Sequence, residues 1–361
     1  MTDSKLRIGV VGSGIGQSHI EAYQRFPNLF EVVAICDLDR ARAESVAETY
    51  HLPRMVTDLA DLCRMDDLEV IDICTPSFLH YPHTRQALAA GKHVVCEKPV
   101  AGSLKDVDQL IAAEAESGKR VMPIFQYRYG HGIQKLKFLV EQGVAGRAYL
   151  TTVETAWRRR APYYAVPWRG KWETELGGAL VTLAIHAHDL LSYILGPVKS
   201  VFARTKTLVN PIETEDCVSA SLEMADGSLA SLSVTTGSVV EISRHRFCFS
   251  HLTAESNTQP YHNSFEPWTY SGDSPEVQVQ IHETLARFEP LPERFPGQFY
   301  RFYQALRHNT ALPVTLADAR ASLELVTALY TSAETGRSVE LPITAEHPKY
   351  ASWRPREVHH G

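Results

Sequence analysis

Three absences limit what this sequence of 361 residues can be. No run approaches the roughly 18 apolar residues that a membrane-spanning helix requires, so we expect no membrane partner. Basic residues number 36 against 42 acidic residues, and the resulting charge of −6 argues against a nucleic-acid partner. The N-terminus passes from Met1 directly into strand-like sequence without a signal peptide, which predicts a cytoplasmic protein.

The 6 cysteines include no C-x-x-C pair, the spacing that many metal and redox sites use. Several of them end predicted buried strands, so we interpret the set as small core residues. The adjacent His359 and His360 near the C-terminus have no third ligand in view. We therefore predict no bound metal.

The N-terminal third alternates short apolar runs with helical stretches. The strand candidates are Leu6–Val11, Val32–Cys36, Val70–Cys74, His93–Cys96 and Val121–Ile124, and the helix candidates are Asp39–Tyr50, Tyr81–Ala90 and Ser103–Ser117. Strands that are apolar throughout are buried on both faces, which is typical of a parallel sheet covered by helices. Residues 1–125 are therefore predicted to form a doubly wound α/β domain.

The pattern changes near residue 126. Strand candidates now alternate apolar with polar residues, which suits a sheet with one solvated face. They are Ala148–Thr155, Val198–Thr205, Val218–Met224 and Leu229–Thr235, the last two forming a predicted hairpin. Helices are predicted at Ile133–Glu141, Gly297–Arg307 and Leu316–Thr335, and Thr253–Ser274 is predicted to be a long excursion. We expect a second domain at 126–345 and a tail at 346–361.

A glycine-rich turn closes the first predicted strand and opens a helix, which is the context of a dinucleotide-binding turn. Its residues are Gly12, Ser13, Gly14, Ile15 and Gly16. Glycine lets a pyrophosphate approach the amides at the helix N-terminus, where the helix dipole favours anions. The spacing departs from G-x-G-x-x-G, because the third glycine falls one residue early. The turn nevertheless predicts nucleotide binding.

Asp37 ends the second predicted strand, 21 residues after Gly16. A carboxylate at about that distance accepts hydrogen bonds from the adenosine ribose hydroxyls and repels a 2′-phosphate, which favours NAD over NADP. Arg40 leaves NADP open, because its guanidinium could reach a phosphate. The alternative role of Asp37 is the N-cap of the helix that begins near Asp39.

Lys98 follows the predicted strand His93–Cys96 and precedes Pro99. Proline disfavours helical angles at the residue before it, so the lysine amine should project from a strand end, where open α/β sheets bind ligands. Thr75 and Pro76 end another strand, where a loop would run beneath the nicotinamide. The alternative for Lys98 is a solvated lysine in a loop.

A second cluster lies in GGALVTLAIHAHDLL at residues 177–191. If this segment is one helix, Thr182, His186 and Asp189 share a face. The alternative is a helix whose apolar residues fill the core while its histidines are satisfied polar residues. The Trp168-Arg169 pair precedes this segment and could line a substrate pocket or simply pack.

Together these segments resemble the Gfo/Idh/MocA oxidoreductase family, named for glucose-fructose oxidoreductase and inositol dehydrogenase. The resemblance spans nearly the whole chain and rests on the order and separation of the glycine turn, Thr75-Pro76, Glu97-Lys98-Pro99, Gln126-Tyr127-Arg128-Tyr129, Gly177-Gly178 through His186 and Asp189, and Ser322–Gly336. It implies an N-terminal Rossmann domain with a doubly wound parallel sheet. A C-terminal α+β domain with a large, open, mostly antiparallel sheet would follow and form the interface of a homodimer or homotetramer.

The resemblance also implies oxidation or reduction of a sugar or polyol hydroxyl with NAD or NADP. Lys98 would hydrogen-bond the reacting oxygen and His186 would take its proton as general base. Many members have an aspartate where this chain has Thr182, which can only hydrogen-bond. Either Lys98 and His186 manage the proton alone, or Asp189 supplies support, although its usual family role is structural.

The predicted cofactor-binding residues are Gly12, Ser13, Gly14, Ile15, Gly16, Asp37, Thr75, Pro76, His80, Glu97 and Lys98. The predicted substrate-binding residues are Lys98, Gln126, Arg128, Trp168, Arg169, Thr182 and His186. These residues favour an NAD-dependent sugar or polyol dehydrogenase. The alternatives are an NADP-linked carbonyl or dihydrodiol reductase and a nucleotide-sensing regulator, which would be expected to lack Lys98 or His186.

Overall fold

The computed structural model describes residues 5–355, which form two units, each with its own sheet. The first unit contains the described residues up to Gln126 together with Pro292–Arg320. The second contains Tyr127–Leu291 and the described residues from Ala321 onward. The segment Pro292–Arg320 therefore completes the first unit although it follows the second sheet in the chain. His359 and His360 lie outside the described residues.

The first unit is built on a six-stranded parallel sheet in the order β3-β2-β1-β4-β5-β6. Its strands are β1 (Leu6–Val11), β2 (Phe30–Cys36), β3 (Arg54–Val56), β4 (Val70–Ile73), β5 (His93–Cys96) and β6 (Val121–Pro123). The strand order reverses between β1 and β4, and ligands of doubly wound sheets bind at the carboxyl ends of strands flanking such a reversal. The predicted doubly wound parallel sheet is confirmed.

Helices alternate with the strands along the first unit. They are α1 (Gly16–Gln24), α2 (Arg40–Tyr50), α3 (Leu59–Cys63), α4 (His80–Ala89), α5 (Leu104–Ser117) and, late in the chain, α11 (Arg294–Arg307). The Asp39 side chain caps α2 by accepting from the amide of Arg42 at 3.2 Å. Asp39, and not Asp37, is therefore the N-cap of this helix.

The second unit contains an eight-stranded sheet in the order β13-β12-β11-β7-β10-β9-β8-β14. Its strands are β7 (Ala148–Arg158), β8 (Val198–Lys206), β9 (Cys217–Met224), β10 (Leu229–Thr235), β11 (Gly237–Phe249), β12 (Leu252–Glu255), β13 (Thr269–Gly272) and β14 (Val339–Glu340). Only the β7–β10 pair is parallel among these described strands. The mostly antiparallel sheet and the β9–β10 hairpin are confirmed.

The long excursion predicted at Thr253–Ser274 is confined to residues 256–268, which connect two short strands. Most of β12 and all of β13 lie within the predicted segment, and they pair with each other at the edge of the sheet. Strand β11 before it was also missed. The alternation that marks a half-buried strand is too short in β12 and β13 to be recognised, and their pairing depends on the neighbouring strand.

The helices of the second unit are α6 (His131–Glu141), α7 (Ala161–Tyr164), α8 (Ala179–Thr182), α9 (Ile185–Leu195), α10 (Pro275–Leu285) and α12 (Leu316–Thr335), whose first residues are counted with the first unit. In the predicted tail, Trp353 is buried and its indole nitrogen donates to the carbonyl of Leu176 at 2.6 Å. No helix between residues 5 and 355 is long and apolar enough to cross a membrane.

Candidate functional site

The glycine turn between β1 and α1 lies against the end of β4. Gly12 has a φ of +96°, and a Cβ there would lie only 2.6 Å from the carbonyl oxygen of Cys74. A Cβ on Gly16, the first residue of α1, would lie 3.0 Å from the Val10 side chain. Gly12 therefore requires glycine, since a side chain there would push the turn off the sheet, and the contact at Gly16 is tighter than most Cβ contacts. The helix N-terminus beside the turn attracts an anion through its dipole, although the amides of Gln17 and Ser18 already donate to the carbonyls of Gly14 and Ile15.

The Asp37 carboxylate lies beside this turn at the end of β2. One of its oxygens accepts from the Ser13 amide at 2.9 Å and also from the Ser13 hydroxyl. Its other oxygen accepts from the amide of Asp39 at 3.0 Å. Burial alone would raise the pKa of Asp37, but the hydrogen bonds from Ser13 and Asp39 hold it below the usual value. The structure thus brings an ionised acid and the glycine turn together.

Two arginines near Asp37 differ in their placement. Arg40, because of which NADP remained an alternative cofactor, is exposed. Its Nε lies 3.2 Å from Glu44 on the same helix. Sequence reasoning did not identify Arg42. Its Nη2 lies 3.8 Å from where a Gly14 Cβ would be, and its charge contributes to the lowered pKa of Asp37. Arg42 is therefore the cation beside the turn.

His80 connects the loops that follow β4 and β5. Its Nδ1 lies 2.7 Å from the carbonyl oxygen of Pro99, and its Nε2 lies 2.7 Å from that of Thr75. Burial lowers the pKa of His80. The ring thus ties together the loops that carry Thr75, Pro76 and Lys98, and it reaches them through backbone atoms.

Glu97 and Lys98 follow β5 at the carboxyl edge of the parallel sheet, as predicted for the lysine. Glu97 is buried, and its Oε2 accepts from the Lys98 amide at 3.0 Å. Its Oε1 lies 3.2 Å from Nε2 of His19, whose Nδ1 lies 2.8 Å from Asp72. Sequence reasoning missed His19 and Asp72. The signal was an aspartate inside the apolar run of β4, since a buried charge requires a partner.

The segment carrying Thr182 and His186 forms two helices rather than one. Helix α8 ends at Thr182 and α9 begins at Ile185, so Thr182 does not lie on the helix that carries both His186 and Asp189. The Thr182 hydroxyl donates to the Gly178 carbonyl at 2.9 Å. His186 is buried, and its ring stacks on Tyr127 with centroids 4.4 Å apart.

Glu215 fixes the start of α8 and was missed because it lies far from that helix in sequence. Its carboxylate accepts from the amides of Gly178 and Leu180 at 3.0 and 2.9 Å and from the Tyr330 hydroxyl at 2.8 Å. Burial raises the pKa of Glu215 to about 7, against the opposing effect of these donors. A Cβ on Gly178 would lie 1.9 Å from the Glu215 carbonyl oxygen, which explains the glycine.

Asp189 forms a bidentate ion pair with Arg128, a predicted substrate-binding residue. The Arg128 Nε lies 2.8 Å from Asp189 Oδ2, and its Nη2 lies 2.5 Å from Oδ1. Both side chains are buried. This contact gives Asp189 a structural role, which was one of the two alternatives for it. Gln126, the last residue of the first unit before the chain crosses, is also buried.

Trp168 and Arg169 belong to a cluster of aromatic and arginine side chains in the second unit. The Arg169 guanidinium lies 4.4 Å from the Trp168 ring centroid and 3.9 Å from that of Tyr163. It also donates to the Tyr163 hydroxyl, and its Nη1 lies 3.4 Å from Glu175. Cation–π contacts of this kind hold the guanidinium plane over the rings.

A doubly wound parallel sheet with a glycine turn and an ionised acid at the end of β2 defines a dinucleotide-binding protein. The family model described as "Oxidoreductase family, NAD-binding Rossmann fold" matches residues 6–125, and that described as "GFO/IDH/MocA C-terminal domain" matches residues 133–250. The chain belongs to the Gfo/Idh/MocA family and is an NAD-binding oxidoreductase. The predicted family, enzyme class and cofactor are confirmed.

Individual relatives match over most of the chain. D-glucoside 3-dehydrogenase of Escherichia coli is 29% identical over 94% of this chain and 99% of its own length. Inositol 2-dehydrogenase of Salmonella typhimurium is 30% identical over 59% of this chain and 62% of its own. The WlbA dehydrogenase of Bordetella pertussis, solved with NADH and UDP-GlcNAcA, superposes with a TM-score of 0.84 at 30% identity, covering 94% of this chain and 100% of that one.

Proposed function

We propose that this chain oxidises a hydroxyl of a sugar, inositol or sugar derivative with NAD, or reduces the matching ketone in the reverse direction. The observation that carries the proposal is Lys98 at the carboxyl end of β5, in the same unit as the glycine turn and Asp37. The sugar and inositol dehydrogenases among its relatives support the substrate class.

The residues of the first unit fit the adenosine and pyrophosphate parts of NAD. The close approach of the turn at Gly12 and Gly16 leaves amides that can donate to a pyrophosphate. The ionised Asp37 carboxylate can accept from ribose hydroxyls, and it disfavours a 2′-phosphate by charge repulsion. Thr75, Pro76, His80 and Glu97 would shape the loops beneath the nicotinamide. Bound NAD would supply the hydride acceptor.

Lys98 and His186 are the proposed catalytic pair. An alcohol loses hydride from carbon readily only when its oxygen is deprotonated, so a base must take the hydroxyl proton. An imidazole nitrogen of His186 takes that proton, and the Lys98 amine donates a hydrogen bond to the oxygen. Thr182 contributes a hydroxyl that donates to Gly178, so it adds no negative charge to support the base.

Substrate selection is assigned to Gln126, Arg128, Trp168 and Arg169. An indole ring suits the apolar face of a sugar, and a guanidinium suits its hydroxyls or a carboxylate. The Arg169 guanidinium lies over the Trp168 ring, so the two side chains are neighbours, and Arg169 also contacts Tyr163 and Glu175. Because the Arg128 guanidinium already pairs with the Asp189 carboxylate, we assign Arg128 a supporting role in substrate selection.

The eight-stranded sheet is the proposed interface of a homodimer or homotetramer. Leu150 and Leu229 are paired in register on neighbouring strands and are 47% and 54% exposed. Phe202 is also exposed on this sheet. Ser231 and Ser233 are exposed on β10, and their small side chains leave room for a second sheet. Light scattering of the purified protein and of a Leu229→Lys variant tests this interface.

We also propose that the protein is cytoplasmic.

A dehydrogenase screen across sugars, inositols and sugar acids with NAD and NADP tests the function. The Lys98→Ala variant should then lose at least about tenfold in turnover, equivalent to about 1.4 kcal/mol, while still binding NADH. A smaller loss with intact cofactor binding would remove Lys98 from the reaction. Tighter binding of NADPH than NADH would instead favour the NADP-linked reductase, with Arg42 holding the phosphate.

A further inference from the structure

A buried chain of hydrogen bonds runs behind Lys98 in the first unit. The Tyr23 hydroxyl donates to Asp72 Oδ2 at 3.0 Å, and the same oxygen lies 2.8 Å from Nδ1 of His19. Nε2 of His19 lies 3.2 Å from Glu97 Oε1, and Glu97 Oε2 accepts from the Lys98 amide. The side chains of His19, Tyr23 and Asp72 are inaccessible to solvent. The chain of contacts therefore ends at the peptide of the proposed catalytic lysine.

The partners of His19 determine its charge. Asp72 and Glu97 carry carboxylates, which accept hydrogen bonds when ionised, so both ring nitrogens must donate. Burial by itself would lower the pKa of His19, but the charge of Asp72, assisted by Cys74, raises it well above the usual value. An imidazolium between two carboxylates is the arrangement that satisfies every member of this group.

Several elements of the first unit contribute groups to the surroundings of His19. Helix α1 presents Tyr23, the end of β4 presents Asp72 and Cys74, and the end of β5 presents Glu97. Helix α11 presents the rings of Phe295 and Phe299, with centroids 4.4 and 5.2 Å from that of His19. These aromatic rings exclude water and strengthen the ionic contacts.

We propose that His19 is a positioning residue for Lys98: its imidazolium, held by Asp72, fixes the Glu97 carboxylate, which in turn fixes the Lys98 peptide. This inference rests on the proposed role of Lys98. His19 reaches the reaction only through Glu97, so it should affect turnover more than cofactor affinity. A ring that lost one proton could donate only one hydrogen bond, so either Asp72 or Glu97 would lose its hydrogen bond from His19.

A metal ion is the alternative occupant of this cluster. Ligand atoms of His19, Asp72 and Cys74 lie within 4.8 Å of one another. A thiol must lose its proton to bind a metal, whereas burial and the Asp72 charge raise the pKa of Cys74. The direct His19–Asp72 hydrogen bond also occupies the atoms that a metal would need. Hydrogen bonding therefore explains the cluster better.

The first test compares His19→Gln, Asp72→Asn and Tyr23→Phe with the parent in the full-length protein. We expect kcat to fall at least about tenfold for His19→Gln, with the Kd for NADH changed by less than about threefold. Tyr23→Phe is the matched control, because it removes one donor to Asp72 and leaves the imidazolium with both carboxylates. Its kcat should fall less than about threefold.

The second test is the pH profile of kcat for Asp72→Asn, which is close in shape to the parent and is used even if His19→Gln fails to fold. Removing the carboxylate lowers the pKa of His19, so activity should be lost at a pH at least about one unit lower than in the parent. A merely structural role would lower kcat equally at every pH, and that outcome would overturn the assignment.

Two further outcomes separate this inference from the function on which it rests. If Lys98→Ala retains turnover, the catalytic role of Lys98 fails first. If Lys98→Ala is inactive while His19→Gln and Asp72→Asn keep parental kcat and pH profiles, only the role of His19 fails. Elemental analysis showing one metal ion per chain, lost in His19→Gln, would also overturn the hydrogen-bonded interpretation.

Discussion

The two units position their predicted site residues by different means. In the first unit the glycine turn, Asp37 and Lys98 lie at the ends of neighbouring parallel strands, and the backbone itself provides much of the binding surface. In the second unit, Glu215 holds the start of α8 and Arg128 holds α9 through Asp189, each across a long interval of sequence. The first arrangement depends on strand order, and the second depends on individual buried charges.

This difference predicts whether a single substitution mainly affects cofactor binding or stability. A change in the glycine turn of the first unit should mainly affect cofactor binding, because the parallel sheet stays intact around the turn. A change to a buried charge in the second unit should mainly affect stability, because an unpaired charge left in the interior is costly. The predictions below test that contrast, beginning with the largest expected effect.

The largest effect is expected from Asp189→Ala, which leaves Arg128 buried without its carboxylate. We expect the free energy of unfolding to fall by about 3 to 5 kcal/mol, measured by urea denaturation. The matched control is Glu223→Ala, which breaks the exposed pair with Lys199 and should cost less than about 1 kcal/mol. Equal losses in the two variants would remove the claim that buried charges organise the second unit.

Glu215 should make stability depend on pH. Its folded pKa of about 7 lies above the usual value of 4.5, so between these values the folded state binds more protons than the unfolded state. Stability from this group is therefore present below the lower value and is lost as the pH rises through the upper one, by about 3 kcal/mol. Urea denaturation of Glu215→Gln across this range should lack that decline.

The control for Glu215 is Glu213→Gln, which changes an exposed carboxylate two residues away. This variant should keep the parental decline in stability with rising pH. If Glu215→Gln and Glu213→Gln give the same pH dependence, Glu215 does not hold a proton in the folded protein near neutral pH.

Gly12→Ala should weaken NADH binding at least about tenfold, measured by fluorescence titration. The new Cβ would meet the Cys74 carbonyl and displace the turn. Gly118→Ala is the control, because Gly118 also has a positive φ, +65°, but a Cβ there meets nothing within 4 Å. Both variants bear backbone strain. The role of Gly12 in cofactor binding is therefore supported only if Gly12→Ala weakens NADH binding more than Gly118→Ala does.

The smallest effect distinguishes the two arginines beside Asp37. Arg42→Ala should change the ratio of NADH to NADPH affinity by about threefold or more, because its charge lies near both the turn and Asp37. Arg40→Ala should leave that ratio unchanged, since Arg40 pairs with Glu44 on the surface. Titration of both variants with NADH and NADPH measures this ratio. A larger change in Arg40→Ala than in Arg42→Ala would contradict the assignment of Arg42 as the arginine beside the turn.

Much of the first unit could be predicted because its signals are local. Apolar runs indicated the buried strands, the glycine turn marked the start of α1, and the distance to Asp37 matched a nucleotide-binding acid. Strand β3 escaped because its three residues lie at the edge of the sheet and are only partly buried, so they form no apolar run. Helix α11 was recognised as a helix, but its partnership with α1 was invisible, since the two lie far apart in sequence.

The break between α8 and α9 could not be predicted in the same way. The pattern from Gly177 to Leu191 is compatible with one helix, and the sequence does not show that Glu215 and Tyr330, distant in the chain, hold a separate helix start at Gly178 and Leu180. The strands β12 and β13 were hidden for a related reason, because edge pairing is decided by the neighbouring strand and not by composition.

The sequence by itself determined the class of the protein: a doubly wound nucleotide-binding domain, a largely antiparallel second sheet and a family defined by the spacing of its motifs. Hydrophobic periodicity and glycine placement are local properties, so they can be recognised without coordinates. The polar groups that meet in the interior are set by the folded structure. His19 with Asp72 and Glu97, Arg128 with Asp189, and Glu215 with Gly178 are each brought together by folding, since residues distant in the chain become neighbours only when the sheets form.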